Sequence, residues 1–194
     1  GYQMVFPNGR IDYYYNTGSI KVQDNETGVR DLLMGNFVEP GLWNKLYRKT
    51  LFLSFFSKAD MDYSIKINED LLMNYYLFRE AQKTVFLDKC PYHYLLRKNS
   101  AATSELNTYK IYDPIRVTKK ILSELNPESD VYYIVEERLI RQLIHLQVIA
   151  DKKQASIVKE CRREGLKELK SKLPIIIKNP LLSRKIKLMS LLAC

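Results

Sequence analysis

The chain has 194 residues, of which 46% are hydrophobic and 27% charged, with seven Gly and seven Pro. That balance excludes a disordered chain, a collagen-like chain and a bundle of membrane spans. Lys and Arg number 31 against 22 Asp and Glu, a formal charge of +9, which turns attention to anionic partners. The excess is local: residues 1–151 hold 19 charges of each sign, whereas residues 152–194 hold 12 basic and three acidic ones. The length fits one domain, or one domain with an appendage. Cys90, Cys161 and Cys194 are odd in number and far apart, which fits free thiols of a reducing, cytoplasmic setting rather than a disulfide framework or zinc site.

Residues 2–6 and 10–15 are β-branched or aromatic runs separated by Pro7-Asn8-Gly9, which predicts a β-hairpin. A polar stretch over 16–26 reads as a loop, and Thr27 as the cap of a short helix ending near Gly35. Residues 42–47 read as extended and 49–56 as a short helix. Asn68 stands where a helix cap belongs, with Glu69 and Asp70 in the first turn and Leu71, Leu72, Tyr75 and Phe78 as an apolar stripe to about Ala81. Strands are expected over 84–88 and 92–97, around Cys90-Pro91. Beyond Ser104 the pattern is helical. Asp113-Pro114 predicts a helix start, ended by Asn126-Pro127. Residues 130–150 carry an apolar stripe of Val131, Val135, Leu139, Leu143, Leu146 and Ile149. A basic helix over 152–172 is expected to break at Pro174 and Pro180, before a last segment over 181–192 in which Leu182, Ile186, Met189 and Leu192 can share a face. The fold class is thus mixed α and β with a helical C-terminal region.

Three clusters carry potential chemistry. Glu69-Asp70 either complements the positive end of a helix dipole or supplies a general base whose proton affinity the neighbouring acid tunes; spacing does not choose between these. Tyr92-His93-Tyr94 leads into Arg97 and Ser100, a strand and loop suited to gripping phosphate oxygens, or an edge strand with a solvated basic end. Trp43-Asn44-Lys45 holds the only Trp, which either stacks on a sugar ring beside a hydrogen-bonding Lys or fills a core beneath a snorkelling one. His145, on an apolar stripe, reads as structural.

The succession Trp43-Asn44-Lys45-Leu46-Tyr47-Arg48-Lys49, then Asn68-Glu69-Asp70-Leu71-Leu72, then Asp88-Lys89-Cys90-Pro91-Tyr92-His93-Tyr94 with Arg97 and Ser100, resembles the C-terminal half of bacterial family 2 glycosyltransferases. The likeness covers residues 1–104, with 105–194 as a helical extension ending in the basic tail. It implies a GT-A sheet flanked by helices and transfer of a sugar from a nucleotide donor with inversion, to a glycan or lipid-linked acceptor of cell-surface polysaccharide. It implies Asp70 as the base beside Glu69, and Trp43, Asn44 and Lys45 on the acceptor side. His93, Arg97 and Ser100 fall at the donor diphosphate, and His93 is a weak candidate for the divalent cation, Mg or Mn, that the full-length enzyme uses.

Two departures stand out. Asn68 occupies a position where the family more often has Gly. No segment resembles the family's opening strand and uridine pocket, or the cation-holding Asp-x-Asp that follows them. The expectation is therefore part of a longer enzyme, inactive without its nucleotide-binding half. The reading from another class is a non-catalytic binding module whose basic tail docks on an anionic surface. Residues 152–194 contain no Phe, Tyr or Trp to stack on bases, so this tail suits the inner face of a membrane better than a nucleic acid.

Overall fold

The structure is a computed structural model that describes residues 1–35, 38–97, 105–149, 155–179 and 182–194. These residues form a mixed α and β protein with seven α-helices and two small sheets. The chain divides into two compact units, Gly1–Tyr63 with Glu69–Glu105, and Ser64–Asn68 with Leu106–Cys194.

In the first unit, β1 (Tyr2–Val5) and β2 (Ile11–Tyr14) form the expected hairpin. Its turn closes through the Phe6 amide on the Arg10 carbonyl at 2.9 Å, with Gly9 at φ 83°, a conformation that costs glycine little and other residues more. β5 (Tyr92–Leu95) lies parallel to β1 on its other edge. The register puts Tyr2, Tyr14, Tyr92 and Tyr94 on one face, and Gln3, Tyr13 and His93 on the other.

A second sheet pairs β3 (Ile20–Asp24) with β4 (Lys83–Leu87) in antiparallel fashion. The sequence had suggested a loop over 16–26, and the reason for the difference is an inverted pattern. Polar Gln23 is the buried residue of this strand and donates to Asp31 Oδ2, which also receives exposed Lys21, while Ile20, Val22, Val85 and Leu87 form an exposed apolar ladder. Helix α1 (Asn25–Met34) consequently starts earlier than Thr27. Asp24 caps it by accepting the Thr27 amide at 2.8 Å.

Helices α2 (Lys49–Lys58) and α3 (Glu69–Glu80) complete this unit. The α3 stripe is buried as its spacing predicts, and Leu71, Leu72, Tyr75 and Phe78 join Leu32, Leu33 and Phe55 in the core. Residues 42–47, expected to be extended, instead begin with a 3₁₀ turn over Leu42–Asn44.

The second unit is helical. α4 (Thr108–Glu124) is capped by Asn107, six residues before Asp113 of the Asp113-Pro114 start that the sequence suggested, so Pro114 lies inside the helix. Asp113 is not a cap but a buried staple. Its side chain is 1% exposed; Oδ2 accepts the Lys66 and Ile67 amides at 2.7 and 3.2 Å, and Oδ1 faces Arg116 at 3.1 Å. α5 (Asp130–Val148), capped by Ser129, buries Val135, Leu139, Leu143 and Leu146 of its expected stripe and adds Ile140 and Ile144.

α6 (Ala155–Lys178) runs through Pro174, where a break was expected. Leu169 and Ile176, two turns apart, are both buried in the same core, and their packing offsets the hydrogen bond that proline removes. α7 (Arg184–Ala193), capped by Ser183, does not keep the predicted stripe on one side. Leu182 and Ile186 are buried with Ser190, whereas Met189 and Leu192 face outward.

Removing the staple exposes its importance. Asp113→Ala removes the carboxylate that accepts two backbone amides and faces Arg116, and is expected to cost about 3 kcal/mol of unfolding free energy, read as a lower urea midpoint with unchanged slope. An unaltered midpoint would contradict the staple.

Candidate functional site

The Trp43 and Glu69-Asp70 clusters meet in the first unit around residues 39–47. Gly41 approaches Trp43 so closely that a Cβ would lie 2.4 Å from the indole Nε1, which leaves room only for glycine. The indole then packs on the tyrosine face of the first sheet. Its ring centroid lies 4.6 Å from Tyr92, 5.0 Å from Tyr94 and 5.0 Å from Tyr2, the last edge-on. Tyr2 stacks in turn on Tyr14 at 4.5 Å. Such pairs stabilise beyond their buried area because ring edges and faces carry opposite partial charge.

Two residues on, the chain turns back around Lys45. The ammonium donates to the Glu39 carbonyl, to the Gly41 carbonyl at 2.7 Å and to Asn44 Oδ1 at 2.8 Å. An ammonium has three N–H donors, and all three are used within the protein. Lys45 therefore acts as the pin of this loop, and the Asn44 carbonyl oxygen is committed to it. Burial pushes the amine down to about 8 from its ordinary 10.5, while Asp70 and Glu39 pull it back upward.

Asp70 sits in the first turn of α3, half-buried, with Oδ1 accepting the Leu71 amide at 2.7 Å. Burial raises its proton affinity above the usual carboxylate range. The Leu71 hydrogen bond opposes this, exposed Glu69 adds to it and the Lys45 charge opposes it. Just before the helix Asn68 adopts φ 66°, a left-handed conformation that suits Asn or Gly, which accounts physically for either residue at this turn.

One residue that sequence reasoning passed over ties the site together. Asn74, fully buried, donates to the Pro40 carbonyl and to the Asp70 carbonyl at 3.0 Å, and its Oδ1 accepts the Tyr47 hydroxyl at 2.5 Å. The signal was present: Asn74 falls between Leu71 and Phe78 on the buried face, and a polar side chain there must find partners.

The remaining candidates stand apart. His93 projects from the face of the first sheet opposite Trp43, and Arg97 lies exposed just beyond β5. Ser100 falls outside the described residues. The sequence reading also overlooked that Asp60-Met61-Asp62 spells Asp-x-Asp. This tripeptide occupies irregular chain between α2 and α3, with both carboxylates exposed, and does not follow a strand. Among the described residues no three His, Cys, Asp or Glu side chains converge as a metal-ligand group. His145 is exposed near the end of α5. Among the described residues no helix is long and apolar enough to cross a membrane. Comparison with protein-family models, with curated proteins and with solved structures finds no match to the chain.

The pin makes a signed prediction. The folded amine of Lys45 releases its proton near pH 8 and the unfolded one near 10.5, so between those values the unfolded state binds more protons and stability attributable to Lys45 rises with pH. Lys45→Met should lower stability overall and remove this component of the slope, as measured by urea midpoints at successive pH values. The same substitution removes a positive charge beside Asp70, so a ¹³C-detected titration should find the Asp70 carboxyl shifted further upward.

Proposed function

We propose that the chain is the acceptor-side and C-terminal portion of an inverting, nucleotide-sugar-dependent glycosyltransferase of GT-A type, similar to family 2, with Asp70 as the general base. The observation that carries this reading is the placement of Asp70: a half-buried carboxylate of raised proton affinity, in the first turn of a helix, beside a buried ammonium. The order of the three sequence clusters supports it independently.

In this mechanism an acceptor hydroxyl lies against Asp70, whose Oδ1 is held by the Leu71 amide and whose Oδ2 receives the proton. As the O–H bond breaks, the oxygen attacks the anomeric carbon of the donor. The bond from that carbon to the diphosphate oxygen breaks, and its electron pair leaves with the nucleoside diphosphate. Attack opposite the leaving group inverts the anomeric centre. Raised proton affinity serves such a base, because it strengthens the proton acceptor at the moment of attack.

Glu69 tunes that affinity through its charge. Trp43, Asn44 and Lys45 shape the acceptor wall through the packed turn, rather than through free donors on Lys45. Arg97 and Ser100 are the proposed contacts of the donor diphosphate, whereas His93, on the sheet face opposite Trp43, is not assigned one. The uridine pocket and the cation site belong to the family's N-terminal half, and no step is assigned to the cation here. The acceptor is a glycan or lipid-linked sugar of a cell-surface polysaccharide, and the setting is the cytoplasmic face of the plasma membrane.

The test is release of nucleoside diphosphate from a panel of nucleotide sugars by the enzyme containing this chain. Asp70→Asn is expected to lower kcat by about 10² to 10⁴-fold while leaving donor affinity unchanged. Substantial turnover by Asp70→Asn, or release that the wild type does not accelerate with any donor, would reject the assignment.

A further inference from the structure

The end of the second unit is built differently from its remainder. Within α7 each residue turns about 100°. Ile186 and Ser190, one turn apart, are buried, so the side roughly opposite them faces outward. That side carries Leu188, Leu191 and Leu192, exposed by 57%, 50% and 79%, with exposed Arg184 and Lys185 at its N-terminal end.

α6 runs beside it in the reverse direction. Lys187 Nζ donates to the Ile177 carbonyl at 3.0 Å, and at the other end the charge of Lys170 acts on the Cys194 thiol. The end of α6 adds exposed Ile177, two turns beyond exposed Lys170 on the same side, and exposed Lys178 follows it.

The charge around these apolar side chains has one sign. Residues 169–194 contain six Lys and Arg and no Asp or Glu. The preceding acid, Glu168, pairs with Lys119 at 2.6 Å, and Glu136 of the packed helix α5 is buried, in contact with Asn179 at 3.4 Å.

A basic face that served only solubility would not need leucines facing water. Exposed leucines beside cations fit a partner that is apolar within and anionic at its surface. We infer that α7, with the end of α6, is a docking face for an anionic lipid bilayer, entered by Leu188, Leu191 and Leu192 and held at the headgroups by Arg184, Lys185 and the α6 lysines. This inference stands without the glycosyltransferase reading. It uses a different face from the stripe that the sequence suggested, because Leu182 and Ile186 of that stripe are core residues.

The experiment is co-sedimentation of the full chain with vesicles of phosphatidylcholine alone and of phosphatidylcholine mixed with phosphatidylglycerol. Binding is expected only to the mixed vesicles, and high salt should reverse it. Replacing Arg184 or Lys185 by Gln should weaken binding about fivefold each. Leu188→Asp with Leu192→Asp should weaken it by about tenfold or more, with an unchanged circular-dichroism melt because neither side chain is in the core. Equal sedimentation with both vesicle types, or leucine variants that bind like wild type, would overturn the inference. So would binding to an oligonucleotide without binding to vesicles, which would give this face to nucleic acid.

Discussion

The first unit depends on a single buried cation. Lys45 collects the Glu39 and Gly41 carbonyls and the Asn44 amide oxygen, and in doing so folds the chain back on itself within a few residues. That reversal lets Trp43 reach the tyrosines of the β2-β1-β5 sheet on one side and Tyr47 reach Asn74 of α3 on the other. Sheet and helix are thus joined by a loop that has no regular structure beyond a 3₁₀ turn. Burying an ammonium is costly unless its donors are satisfied, and here two backbone carbonyls and one amide oxygen satisfy them. The same charge lies close enough to Asp70 to restrain the rise in its proton affinity, so the structural pin and the proposed base belong to one electrostatic system.

The second unit solves a related problem with the opposite sign. Asp113 gathers two amides of the 64–68 segment and the Arg116 guanidinium at the surface of a core made from Ile111, Ile115, Leu139, Ile140, Leu143 and their neighbours. In both units a short irregular segment is held by one ionised side chain rather than by apolar contacts alone.

How far the sequence revealed these arrangements depended on whether periodicity agreed with burial. The hairpin around Gly9, the stripe of α3 and the stripe of α5 were legible because apolar residues recur where the element turns inward. β3 was not, since its buried side chain is polar Gln23 and its apolar residues face outward. The start of α4 was misread because Asp113-Pro114 has the letters of a cap, while the side chain is used as a staple. Pro174 looked like a stop because the packing of Leu169 and Ile176 is a tertiary effect that no local rule contains. At the candidate site, Glu69-Asp70 could be found from spacing and helix polarity. The commitment of Lys45 to backbone carbonyls could not, and the separation of His93 from Trp43 followed only once the register of β5 against β1 was known.

The apolar ladder of Ile20, Val22, Val85 and Leu87 has a consequence for handling the protein. Two such ladders on different molecules present matching rows of side chains, and their approach is opposed by the mutual repulsion of chains that each carry +9, an excess that lies in residues 152–194 rather than in the charge-balanced region that holds the ladder. That repulsion shortens in range as electrolyte is added. Colloidal behaviour and conformational stability therefore need not move together: a buffer that leaves every helix intact can still let the molecules adhere through this small sheet.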